Sequence, residues 1–283
     1  MRDLVGCLTI LAVLLVAAGC GPAGDRPETF SFILAGQSNM SGRGDLERLP
    51  PGFPVNAGRI KNFTNADVWA EAREPLDDPG GQRDACSLDL YPGVGPGSAF
   101  AQRLSELLPQ VRVGLIPCAR GRVTLAQWAP DSRPGSLYGS SLRRARLAGR
   151  KSRVAGVLFY QGESDASSRR AVEAWPRRFA ELVAAWRRDL GDPELPVVFC
   201  QIGDLAPMWR GDKAFRHWDL LKQRQAGVRL PGVSMVVTDD LALKDDGIHL
   251  TTASQMILGR RLAQAMHQLL LRRGLAGGTT SGV

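Results

Sequence analysis

Five stretches of apolar, β-branched or aromatic residues, at 29–35, 111–117, 154–160, 196–202 and 233–237, are nearly continuous instead of alternating. A strand with one wet face alternates polar and apolar side chains; a strand covered on both faces does not. The runs therefore read as parallel strands enclosed between helices. Segments with helical periodicity fill the intervals at about 97–108, 136–149, 171–190 and 213–228, and a last one follows at about 252–271. Alternation of this kind specifies an α/β fold with a central parallel sheet.

The helix at 171–190 carries Val172, Trp175, Phe179, Leu182, Val183, Trp186 and Leu190 on one stripe, which faces a core. Pro176 predicts either a kink there or a helix that begins with the proline in its first turn. In the last helix, Thr252 and Gln255 have capping-box spacing. The stretch 71–97, rich in Gly, Pro and Asp, reads as a long functional loop. Residues 29–272 form one domain, because the candidate catalytic pieces come from both ends of the chain. Residues 21–28 read as a tether and 273–283 as a flexible tail.

The formal charge is +8, from 36 Lys+Arg against 28 Asp+Glu. The basic residues come in pairs, such as Arg143-Arg144, Arg169-Arg170, Arg177-Arg178, Arg187-Arg188 and Arg260-Arg261, which predict solvated helix faces. No basic stripe with interleaved aromatics is present, so nucleic-acid binding is not expected. Arg2, the apolar run 4–16 and Ala17-Ala18-Gly19 before Cys20 resemble an export signal with a bacterial lipobox. The expectation is an exported protein held to a membrane through lipidated Cys20; a cleaved soluble form and an uncleaved anchor are the alternatives. Cys86, Cys118 and Cys200 then permit at most one disulfide and no cysteine metal cage.

A serine hydrolase needs a nucleophile, a base, an acid that fixes the base, and donors for the developing oxyanion. Ser38 follows the first strand directly in Gly36-Gln37-Ser38-Asn39-Met40, at the carboxyl end of the sheet where α/β folds place ligand crevices. His249 precedes the last helix in Asp246-Gly247-Ile248-His249. Asp246 is placed to orient its imidazole, with Asp245 as an adjacent competitor. His217 and His267 fall in helical segments and read as structural. The surroundings of Ser38 lack Gly-x-Ser-x-Gly, so the fold is not an α/β-hydrolase. No metal-ligand cluster and no phosphate-binding loop is present, and neither metal nor cofactor is implied.

Five blocks carry a resemblance: Phe32-Ile33-Leu34-Ala35-Gly36-Gln37-Ser38-Asn39-Met40, Gly93-Val94-Gly95-Pro96, Gly114-Leu115-Ile116-Pro117-Cys118-Ala119, Tyr160-Gln161-Gly162-Glu163-Ser164-Asp165 and Asp246-Gly247-Ile248-His249-Leu250. In this order they resemble the sialate O-acetylesterase-like carbohydrate esterases, a branch of the SGNH hydrolases, over about residues 29–270. The resemblance implies a flavodoxin-like three-layer fold, Ser38 as nucleophile, His249 as base and Asp246 as acid. It also implies an oxyanion hole from the Ser38 N–H, the Gln161 side chain and a Gly121 N–H. The sequence departs from the pattern after Ala119, where Arg120-Gly121-Arg122-Val123-Thr124 replaces paired glycines followed by Ser or Thr. Gln37, Asn39, Arg120 and Arg122 are candidates for pocket support or substrate binding, the arginines for an anionic substituent. Glu163 is open between pairing with an active-site group, replacing Asp246 and binding the sugar. The implied activity is removal of O-acetyl groups from a carbohydrate such as xylan or sialic acid. A general short-chain or lipid esterase and a non-catalytic carbohydrate-binding lipoprotein are the alternatives.

Overall fold

The computed structural model describes residues 28–276 except Asn56, Gln82 and Arg83. The export signal, Cys20, most of the tether and residues 277–283 of the tail lie outside the described residues. Seven strands form one sheet: β1 (Thr29–Gly36), β2 (Ile60–Phe63), β3 (Trp69–Glu71), β4 (Arg112–Ala119), β5 (Arg153–Tyr160), β6 (Val197–Cys200) and β7 (Val233–Val236). Their order is β3-β2-β4-β1-β5-β6-β7, all parallel except for the antiparallel β2–β3 pair. β2 and β3 are not among the five sequence-predicted strands. They are three or four residues long, include Lys61, Asn62 and Glu71, and form one edge of the sheet, so they lack the apolar run of an interior strand.

Among the described residues, six α-helices accompany the sheet: α1 (Ser38–Ser41), α2 (Gly97–Leu107), α3 (Leu137–Ala148), α4 (Arg169–Asp189), α5 (Trp218–Ala226) and α6 (Thr252–Arg272). Side chains alternate across a strand, and β5 shows which helices lie on which face. A Cβ at Gly156 would meet Met266 of α6, whereas Phe159 packs against Phe179 and Trp186 of α4. On β1, Phe32 meets Phe100 of α2 edge to face at 5.0 Å. α2 and α6 thus cover one face, and α4, with α3 and α5, the other. The three-layer α/β/α architecture is the one that the family resemblance implies.

Some local expectations need correction. α4 runs through Pro176 from a Ser168 cap, with the proline well beyond the first turn, where it costs the hydrogen bond to the Val172 carbonyl. Thr251, not Thr252, caps α6 by accepting the Ser254 N–H, and Thr252 Oγ1 donates to the Asp45 carbonyl instead. The predicted helix 213–228 breaks at His217 into a 3₁₀ turn (Lys213–Phe215) and α5. Glu28 already accepts the Arg112 N–H at the start of the β1–β4 ladder, so the tether ends one residue earlier. Arg273, the first residue of the predicted tail, pairs with Asp192 at 2.8 Å, and Ala276 is buried.

The Arg143-Arg144 pair is not a solvated face. Arg144 is fully buried and donates to the carbonyls of Phe63 and Pro117, while Arg143 binds Asp67 and Asp84. Together they tie the β2–β3 edge to α3, and the planar, five-donor guanidinium suits that bridging. Cys86, Cys118 and Cys200 are buried free thiols.

Inside the 71–97 segment, Asp77 is 2% exposed and accepts from Asn65 Nδ2 at 2.7 Å through Oδ1, while Oδ2 has no partner among the described residues. Burial pushes its pKa up to about 7. The unfolded chain ionises such a group near pH 3.9, so stability from the neutral native carboxyl is complete below about pH 4 and is lost as pH rises through about 7. Asp77→Asn is expected to remove that slope. Urea unfolding near pH 4.5 and pH 8 should show wild type losing up to about 3 kcal/mol more than the variant over the interval. Parallel curves for the two proteins would contradict a neutral native carboxyl.

Candidate active site

β1 lies between β4 and β5, so the chain leaves it at the point where the order of strands reverses, the usual crevice of a parallel sheet. Gly36 closes β1 with φ +133°, and a Cβ there would sit 2.1 Å from the Tyr160 carbonyl oxygen. Only glycine permits this approach. The Gln37 N–H then donates to that carbonyl at 2.8 Å, and Ser38 opens the single turn of α1.

Across the crevice, Leu243 and Leu250 form a bridge, and between them the chain turns tightly, with Gly247 at φ +67°. His249 sits on this turn. Its Nε2 is 3.0 Å from Ser38 Oγ and its Nδ1 is 2.7 Å from Asp246 Oδ2. Asp246 Oδ1 accepts the N–H groups of Ile248 and His249, both at 2.9 Å. Burial alone would raise the Asp246 pKa, but these donors and the ring outweigh it and hold the carboxyl below its ordinary range. Trp209 Nε1 donates to the Asp246 carbonyl, fixing the turn from outside. Asp246, not its neighbour Asp245, is the partner of the imidazole. His217 is the residue before α5, and His267 lies within α6.

The two side donors expected for an oxyanion are engaged elsewhere. Gly121 gives its N–H to Asp89 Oδ2 at 3.0 Å, and Asp89 is also gripped by Arg43 at 2.8 and 2.9 Å. Gln161 is fully buried, and its amide donates to Asp165 Oδ2 at 2.6 Å and to the Val123 carbonyl at 3.1 Å. Asp165 also accepts the Leu125 N–H. In this geometry both residues brace the loop after β4 instead of facing the nucleophile. The Ser38 N–H, first in α1, has no carbonyl within the helix to bond and remains the donor that fits the role.

Gln37 is buried with Oε1 turned toward the Gln161 side chain and the Gly162 N–H at 3.4 and 3.5 Å. Asn39 is buried and binds Glu163 and the residues on either side of His249. Glu163 is 3% exposed and makes no bond to His249; burial raises its pKa despite the bond from Asn39. Arg120 is half-buried and Arg122 exposed; neither side chain has an ion-pair partner among the described residues. Arg122 holds φ +60°, a left-handed conformation uncommon for a residue with a side chain. The residue sequence reading undervalued is Asp89, whose only cue was its place in the long 71–97 loop.

Fold and site together define a three-layer α/β/α protein with Ser38, His249 and Asp246 joined at the crevice of its sheet. The profile of the family described as carbohydrate esterase, sialic acid-specific acetylesterase, matches residues 29–268. The chain is 33% identical over 269 residues to a probable carbohydrate esterase of Arabidopsis thaliana, covering 86% of this chain and 95% of that one. An X-ray structure of an Arabidopsis thaliana protein superposes with a TM-score of 0.73 at 31% identity, over 86% of this chain and 99% of the other. A carbohydrate acetylesterase from Xanthomonas citri shares the fold, with a TM-score of 0.64 and 21% identity over 86% of this chain and 56% of its own. The protein belongs to this carbohydrate esterase family and is a carboxylic ester hydrolase.

Proposed function

We propose that the protein removes O-acetyl groups from a carbohydrate, through an acetyl-serine intermediate on Ser38. The observation that carries the mechanism is the unbroken chain Ser38 Oγ to His249 Nε2 at 3.0 Å and His249 Nδ1 to Asp246 at 2.7 Å. Ser38 attacks the acetyl carbonyl as His249 takes its proton. The imidazolium then gives that proton to the departing sugar hydroxyl, and water activated by the same ring releases acetate. Asp246 remains ionised and compensates the charge on the ring.

The acetyl preference is tested with a substrate series. Nitrophenyl acetate should exceed esters with acyl chains longer than four carbons by roughly tenfold or more in kcat/KM. A preference for the longer chains would instead support a lipid esterase. Arg120 and Arg122, in the loop after β4 and without an ion-pair partner among the described residues, support recognition of an anionic sugar substituent. Acetylated sialic acid should therefore be a better substrate than acetylated xylan, and Arg122→Ala should narrow the gap through KM. Equal use of both substrates by wild type would remove that part of the reading.

On sequence grounds we also propose export and lipidation at Cys20, supported by the apolar run and Ala17-Ala18-Gly19-Cys20. Mass spectrometry of the membrane fraction should find a modified Cys20 terminus; an intact Met1 with unmodified Cys20 would refute it.

A further inference from the structure

We infer that Glu163 is a positioning residue for the base: it fixes the amide orientation of Asn39, which in turn holds both peptide groups flanking His249. The inference rests on the reading of Ser38 and His249 as nucleophile and base.

Asn39 Oδ1 accepts the Leu250 N–H at 3.1 Å, and Nδ2 donates to the Ile248 carbonyl at 3.2 Å. One amide thus grips the chain on both sides of His249, and it belongs to the residue next to Ser38. The distance between nucleophile and base is set through a single covalent neighbour. α6 steadies the same residue from behind, because Gln255 Nε2 donates to the Asn39 carbonyl at 3.1 Å.

The grip works in one orientation of the amide only. With Oδ1 and Nδ2 exchanged, an NH₂ would face the Leu250 N–H and an oxygen would face the Ile248 carbonyl. Glu163 selects the working orientation, because its Oε1 accepts from Nδ2 at 2.9 Å and a carboxylate accepts only. Packing does not replace this control. A cavity of about 310 Å³, lined in part by Asn39, Glu163, Gly247 and Ile248, lies against the turn where close-packed atoms would otherwise hold it.

Glu163 also carries a cost that a residue kept for stability would not. It is 3% exposed, and among the described residues it has no ion-pair partner and its Oε2 no hydrogen bond. A buried carboxylate in that condition destabilises the fold relative to an apolar side chain of similar size. Stability and turnover should therefore move in opposite directions on its removal, as at other strained functional positions.

The experiment uses the full chain with an acetyl ester and compares wild type, Ser38→Ala, Glu163→Leu, Asn39→Asp and the double variant Asn39→Asp/Glu163→Gln. Glu163→Leu should lower kcat by about 10- to 100-fold while KM stays within about threefold, with Tm unchanged or higher. Asn39→Asp sets two carboxylates against each other and should lose more. In the double variant the new amide of position 163 donates to the new carboxylate of position 39, and kcat should recover at least about fivefold over Asn39→Asp alone. A Glu163→Leu protein with kcat within about twofold of wild type overturns the inference. So does a double variant no better than Asn39→Asp, which decides the matter even where Glu163→Leu fails to fold. Either result with an active wild type and an inactive Ser38→Ala leaves the esterase reading standing, whereas an inactive wild type overturns both.

Discussion

Ser38→Ala should lower kcat on an acetyl ester by on the order of a million-fold, with the fold intact. The size of the loss follows from the chemistry. In the proposed mechanism no acyl-enzyme forms without Oγ, and His249 and Asp246 have no nucleophile to activate; residual turnover would come from water attacking a carbonyl held by the Ser38 N–H and the pocket. The fold should hardly notice the change, because the Ser38 hydroxyl makes one bond, to His249, and the substitution removes one atom from a side chain of 5% exposure. A fluorophosphonate probe gives an independent reading: wild type should become covalently labelled, and Ser38→Ala should not. A folded Ser38→Ala protein that keeps a tenth of wild-type activity would mean that another group attacks the ester.

The parts of this molecule legible in the sequence are those where one physical demand dominates. β1, β4 and β5 lie inside the sheet, and their burial on both faces writes an apolar run that no edge strand needs. Ser38, Asp246 and His249 were legible because the element preceding or following each fixes its place at the crevice. Residues chosen by cross-chain partners were not. Arg144 looks like any helix-surface arginine until Phe63 and Pro117, distant in sequence, present their carbonyls to it. Gln161 and Gly121, expected as oxyanion donors, give their N–H groups to carboxylates instead. Their acceptors, Asp165 and Asp89, are carboxylates whose side-chain direction no local pattern encodes. The one-residue shift from Thr252 to Thr251 at the start of α6 is subtler. Both threonines suit a cap, and the Asp45 carbonyl, reached only in the folded chain, takes Thr252.

Asp246→Asn should lower kcat by roughly ten-thousand-fold, and the hydrogen bonds around the side chain state why. Asp246 Oδ1 accepts two backbone N–H groups, from Ile248 and His249, while Oδ2 faces His249 Nδ1. An amide has one acceptor oxygen, and the two backbone donors claim it. Its NH₂ must then face the imidazole, so Nδ1 becomes an acceptor and the ring proton moves to Nε2. That nitrogen then donates to Ser38 Oγ and can no longer take the serine proton. The overall fold should persist, since both backbone bonds survive and the side chain is partly exposed. The pH dependence separates this residue from the base. The Asp246 carboxyl is held below its ordinary range, so any stability it adds is present above the unfolded value and is lost only as pH falls through the depressed one. Loss of wild-type activity in milder acid, with the protein still folded, therefore does not report protonation of Asp246. Kinetics of Asp246→Asn across that range, with Tm as the control for folding, make the check. A folded variant within about threefold of wild type at every pH would show that Asp246 does not set the tautomer.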